Sequence, residues 1–130
     1  MKAKSNHPLS PHLQIYRLPL TAVLSIAHRA SGVILSVAAL VMVWVLAAAA
    51  SDAEAYSTAY GHLVSWYGQI FLIGVTFSLY LHFCNGIRHL FWDAGHGFEA
   101  AVAERNSRIV LVASFVVTLG IWFLAYQGKG

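Results

Sequence analysis

The chain has 130 residues, 58% of them hydrophobic and 10% charged, with a formal net charge of +3. That balance is too apolar for a soluble domain of this length and reads as an all-α integral membrane protein. The small positive excess is not gathered into a basic patch interleaved with aromatics, so nucleic acid is excluded as a partner. The single cysteine, Cys84, has no internal disulfide partner and reads as a small packing residue.

Residues 1–19 are polar and interrupted by Pro8, Pro11 and Pro19, which predicts an extended segment along the cytoplasmic surface. Three windows, 30–50, 63–81 and 109–128, contain no Asp, Glu, Lys or Arg. Each holds about 20 residues, enough to cross a hydrocarbon core of roughly 30 Å. With their helical flanks they predict spans at 21–50, 61–91 and 107–128. A short loop at 51–60, with at most a helical turn, separates the first two. A polar loop carrying Gly95, Gly97, Glu99, Glu104 and Arg105 precedes the third. The first window is too long, and too far from the start, for a cleaved signal peptide, so it is expected to be retained. No internal repeat or second domain is evident, and 1–130 reads as one transmembrane anchor domain.

The charges predict an orientation. Lys2, Lys4, Arg17, Arg29, Arg88, Arg105 and Arg108 precede the first span or fall around the second loop, whereas Asp52 and Glu54 lie between spans one and two. The positive-inside rule then puts the N-terminus in the cytoplasm and the C-terminus in the periplasm. The simplest location is a bacterial inner membrane, crossed several times, with a mitochondrial inner membrane as the alternative. Trp44, Trp66, Tyr67, Trp92, Trp122 and Tyr126 read as interfacial anchors. His7, His12, His62 and His96 fall outside the apolar layer, and Asp93 is expected to pair with Arg88 or Arg29.

Two polar constellations interrupt this pattern. Ser25-x-x-His28-Arg29 enters the first span, and His82 opens the run His82-Phe83-Cys84-Asn85-Gly86-Ile87-Arg88-His89 near the end of the second. At 1.5 Å per residue both lie roughly 30 Å from the periplasmic side, so antiparallel spans would bring them into one layer. Ionisable groups at membrane depth are costly and usually functional. A b-type haem needs an imidazole on iron, room for a flat ring and cations for two propionates. His82 supplies the imidazole. Gly86, one turn on, lets a ring approach, and Ser31, Gly32 and Ser36 let helices approach one another. His28 and Arg29 suit propionates, although His28 is also the same-depth candidate for a second axial ligand. Ser25 and Arg29, four residues apart on one helical face, suit the carbonyls of a quinone. With no Cys-x-x-Cys-His motif, any haem would be held by coordination and packing alone.

These residues resemble the cytochrome b subunit of succinate dehydrogenase, the large membrane anchor of respiratory complex II. Pro8-Leu9-Ser10-Pro11-His12-Leu13, Tyr16-Arg17 and Pro19-Leu20-Thr21 look like the family's opening. Ser25-x-x-His28-Arg29-x-Ser31-Gly32 and His82-x-x-x-Gly86-Ile87-Arg88-His89-Leu90-x-Trp92-Asp93 look like its two signatures. One departure is His7, where members commonly carry Arg before the Pro-Leu pair. The resemblance implies that His82 is the axial iron ligand of haem b from this subunit, with the second from a small membrane anchor subunit. It further implies that His28 and Arg29 line the propionates, and that Ser25 and Arg29 border a ubiquinone site shared with the iron–sulfur subunit. Succinate chemistry would then belong to a flavoprotein subunit. The alternatives are a cofactor-free helical scaffold or the anchor of a related fumarate reductase.

Overall fold

The computed structural model describes residues 17–128. The expectations for the N-terminal segment through Tyr16, including those for Lys2, Lys4, His7 and His12, lie outside these residues. Four helices follow in order: α1 (Leu20–Ser51), α2 (Ala53–Val64), α3 (Trp66–Asp93) and α4 (Ala100–Gln127), with no strand among the described residues. Three of them, α1, α3 and α4, are long and apolar enough to cross a membrane. The chain is an all-helical membrane protein.

Two local caps shape the region between the first two spans. Asp52 is extended (ψ 170°) and its Oδ1 accepts the Ala55 N–H at 2.8 Å, which starts α2 where a loop is predicted. That bond, helped by the Ser51 hydroxyl, holds the Asp52 carboxyl below the usual carboxylate range. A second break falls at Ser65 (ψ 162°), whose hydroxyl accepts from Gly68 N at 3.2 Å and begins α3. The expected span from 61 is therefore divided, and the crossing helix starts at Trp66. Hydropathy does not register such caps. At this corner the backbones come very close: a Cβ on Gly68 would lie 2.0 Å from the His62 carbonyl oxygen.

The last helix also begins earlier than the apolar window. Residues 100–104 are good helix formers, and Glu104 meets Arg108 one turn on at 3.6 Å, so α4 starts at Ala100 rather than 107.

Pairs along the seams show that α3 runs antiparallel to both neighbours. Leu24 and Ser31 of α1 meet Asn85 and His82 of α3, while Thr76 and Arg88 of α3 meet Trp122 and Ser107 of α4. Leu24, Leu81 and Val110, one from each long helix, form the apolar core. The distribution around that core is inverted relative to a soluble protein. Leu40, Trp66 and Leu124 are at least 67% exposed, whereas Ser31, Asn85, Arg88, Ser107, Ser114 and Thr118 are buried. Such an apolar exterior needs lipid or partner helices against it. Inside, Ser107, Ser114 and Thr118 donate to the carbonyls of Ala103, Val110 and Ser114 on their own helix at 2.7–2.8 Å. The hydroxyls are thus satisfied, and the small residues let α4 approach its neighbours closely. Trp122 Nε1 donates to Thr76 Oγ1 at 3.3 Å and ties α4 to α3.

Gly68→Ala is expected to destabilise the protein by about 1–3 kcal/mol, the usual cost of an overpacked site. Gly74→Ala, where an added Cβ meets nothing within 4 Å, is the control and leaves stability unchanged or raises it by up to about 1 kcal/mol. Thermal unfolding of the purified membrane complex compares the two.

Candidate functional site

On α1, Leu24, His28 and Ser31 follow one another at helical spacing along the face turned to α3. Ser25 and Arg29 form the next stripe around the helix, half-buried and exposed respectively. On α3, Ser78, Leu81, Asn85 and Arg88 are buried, and His82 and His89 lie on the stripe beside them, both half-buried. The two polar constellations predicted to share a layer do meet. The rings of His28 and His82 stack with centroids 3.9 Å apart and planes 14° from parallel. His89 joins the cluster, its centroid 5.5 Å from His28 and 5.0 Å from Trp92.

The contacts of His82 are directional. Its Nδ1 lies 3.1 Å from Ser31 Oγ and 3.2 Å from the His28 carbonyl oxygen. The Ser31 hydroxyl lies 2.8 Å from that same carbonyl and donates to it. A Cβ on Gly32 would stand 3.3 Å from His82 Cε1, so this glycine admits the imidazole edge against the α1 backbone. No hydrogen bond engages His82 Nε2 among the described residues. His28 Nδ1 is buried with no hydrogen-bond partner. Gly86, by contrast, faces open space: a Cβ there meets nothing within 4 Å. Two rings stacked face to face do not point nitrogens at one another, as trans ligands of a single metal must.

Ser25 and Arg29 keep the spacing predicted for them, and no hydrogen bond or ion pair joins either to another described residue. Neither lines the clefts of about 340 and 570 Å³ that flank Trp92 near the α3–α4 loop.

Two polar side chains that the sequence does not mark as interior are buried. Asn85 is fully buried; its Nδ2 reaches the Leu24 carbonyl at 3.5 Å and its Oδ1 has no partner. Arg88 is buried too, its Nη1 donating to the Ser107 hydroxyl and its guanidinium lying 4.5 Å from the centre of the Trp92 ring. The expected pairing of Asp93 is not seen. Arg88 turns inward to α4 while Asp93 is exposed, and the ion pair found among the described residues joins Arg108 to Glu104. The only warning in the sequence was phase, since Ser78, Leu81, Asn85 and Arg88 recur at the helical period.

Residues 3–121 match the family described as the succinate dehydrogenase/fumarate reductase transmembrane subunit. The chain belongs to that family. It is 40% identical over 124 residues to the succinate dehydrogenase cytochrome b556 subunit of Paracoccus denitrificans, covering 93% of this chain and 95% of the relative. It is 36% identical over 118 residues to the protein of the same name from Rickettsia felis, covering 91% and 92%. The cytochrome b560 subunit of Reclinomonas americana is similar at 35% over 126 residues, covering 92% and 86%. As a succinate dehydrogenase cytochrome b membrane subunit, the chain places its stacked histidines in the seam between its first and third helices.

Within this subunit the Arg88–Ser107 bond joins two helices, whereas Ser114 bonds only its own. Ser107→Ala leaves a buried charged donor without its acceptor and is expected to cost about 1–3 kcal/mol. Ser114→Ala should cost less than about 1 kcal/mol. Unfolding midpoints in mixed micelles measure the difference.

Proposed function

We propose that the chain is the haem b- and quinone-binding membrane anchor of a succinate:quinone oxidoreductase, passing electrons from an iron–sulfur subunit to ubiquinone. The observation that carries the reading is the imidazole pair between α1 and α3, with His82 fastened on one edge and its Nε2 free of internal bonds. The names of the relatives, cytochromes b556 and b560, support a b-type haem.

The residues present fit that group. His82 would hold the iron, and the unpartnered Nδ1 of His28 offers a donor of the kind a propionate accepts from. Exposed Arg29 adds a fixed cation one residue on, and His89 extends the same rim. His28, stacked on His82, would serve this rim, and the second axial ligand would come from the small membrane anchor, as the resemblance implies. When bound, haem b supplies a one-electron store of tunable potential. Ser25 and Arg29, on the outward stripe, donate to the carbonyls of a quinone held jointly with the iron–sulfur subunit. The flavoprotein subunit carries the succinate chemistry, and this chain takes no part in it.

The charge distribution supports an N-terminus in the cytoplasm and a C-terminus in the periplasm of a bacterial inner membrane. The bacterial relatives agree with that location.

His82→Leu in the assembled complex is expected to remove the b-type band from the reduced-minus-oxidised spectrum, while succinate oxidation with a soluble dye persists. Retention of the full band removes His82 as ligand. Ser25→Ala or Arg29→Leu should lower quinone reduction at least about tenfold, the scale of losing a positioned donor, with dye reduction intact. Unaltered quinone kinetics remove the pair from that site.

A further inference from the structure

Which nitrogen of His82 is available, and what fixes it, follows from the hydrogen bonds around Nδ1. A backbone carbonyl can only accept. The His28 carbonyl lies 3.2 Å from Nδ1, so a lone pair on that nitrogen would face a lone pair on oxygen. Ser31 Oγ, 3.1 Å away, has the same carbonyl as the nearer acceptor for its own hydrogen, at 2.8 Å, which leaves its lone pairs for Nδ1. Both neighbours of Nδ1 are therefore acceptors. This arrangement favours a proton on Nδ1 and a lone pair on Nε2.

Ser31 is held for this role. It is 2% exposed, in the middle of α1, and its hydroxyl bonds nothing else. Gly32 beside it removes the side chain that would push the imidazole off, since a Cβ there would stand 3.3 Å from Cε1. Ser36, one turn further, makes the same kind of bond, Oγ to the Gly32 carbonyl at 2.9 Å, but it is exposed and touches no imidazole.

We infer that Ser31 is a positioning residue: with the His28 carbonyl it forms an acceptor pair that locks His82 in the Nδ1–H tautomer and presents Nε2 as the metal-binding nitrogen. The inference rests on the proposed role of His82 as an iron ligand and deepens it. An N–H donated to two oxygens gives the ring partial imidazolate character, so it is a stronger donor to ferric than to ferrous iron. Ser31 thereby lowers the potential of the haem and slows its loss.

The test uses the intact complex carrying Ser31→Ala, with Ser36→Ala as a matched control and succinate oxidation with a soluble dye verifying assembly. Two quantities are read: the midpoint potential of the b band in a redox titration, and the rate of haem transfer to an excess of apomyoglobin. Ser31→Ala should move the midpoint to a more positive value and speed haem loss about tenfold or more, the scale found for lost outer partners of metal ligands. Ser36→Ala should match the unaltered complex in both. If Ser31→Ala leaves midpoint and transfer rate unchanged, or Ser36→Ala shifts them equally, the inference is wrong. Failure of the ligand assignment is separately visible, because His82→Leu would then keep the band.

Discussion

In hydrocarbon a polar group has no solvent to turn to, so each must find its partner inside the protein, and this constraint organises the whole molecule. The seam between α1 and α3 is where it acts most strongly. One carbonyl, one hydroxyl and one imidazole there satisfy one another around His82 Nδ1. Around that knot stand the glycine at 32 and the stacked His28, with Ser25 and Arg29 on the next stripe of the helix.

The opposite seam meets the same constraint differently. A buried guanidinium brings five donors, and here the Ser107 hydroxyl and the face of Trp92 receive part of them. Lysine would lack the planar face that lies against the indole. The α4 side stays close because its hydroxyls bond their own helix, leaving a slender, polar-lined interior under an apolar exterior. Side-chain bonds thus hold α3 from both sides, to α1 and to α4. The histidine rim lies on the side of α3 that meets α1.

Much of this was legible beforehand because hydropathy and rise per residue are linear properties of a chain. They suffice for three long apolar helices and for the level at which His28 and His82 meet. Features that depend on helix rotation were not legible. Ser31 reads as a small packing residue until the facing helix puts an imidazole nitrogen on its hydroxyl. Arg88 reads as a partner for Asp93 until the phase of α3 turns it toward Ser107. The division at Ser65 escaped for another reason: a cap is a single hydroxyl, invisible to a window averaged over about 20 residues. Asp52, followed by alanines and Glu54, is the visible start signal in the stretch predicted as a loop.

The most direct measurement is a cryo-electron microscopy map of the assembled complex, good enough to orient the imidazole at position 82. The account predicts haem iron bonded to its Nε2, with Nδ1 directed at Ser31 and the His28 carbonyl. Iron bonded through Nδ1, or a ring rotated away from α1 with the haem held by other residues, would contradict it.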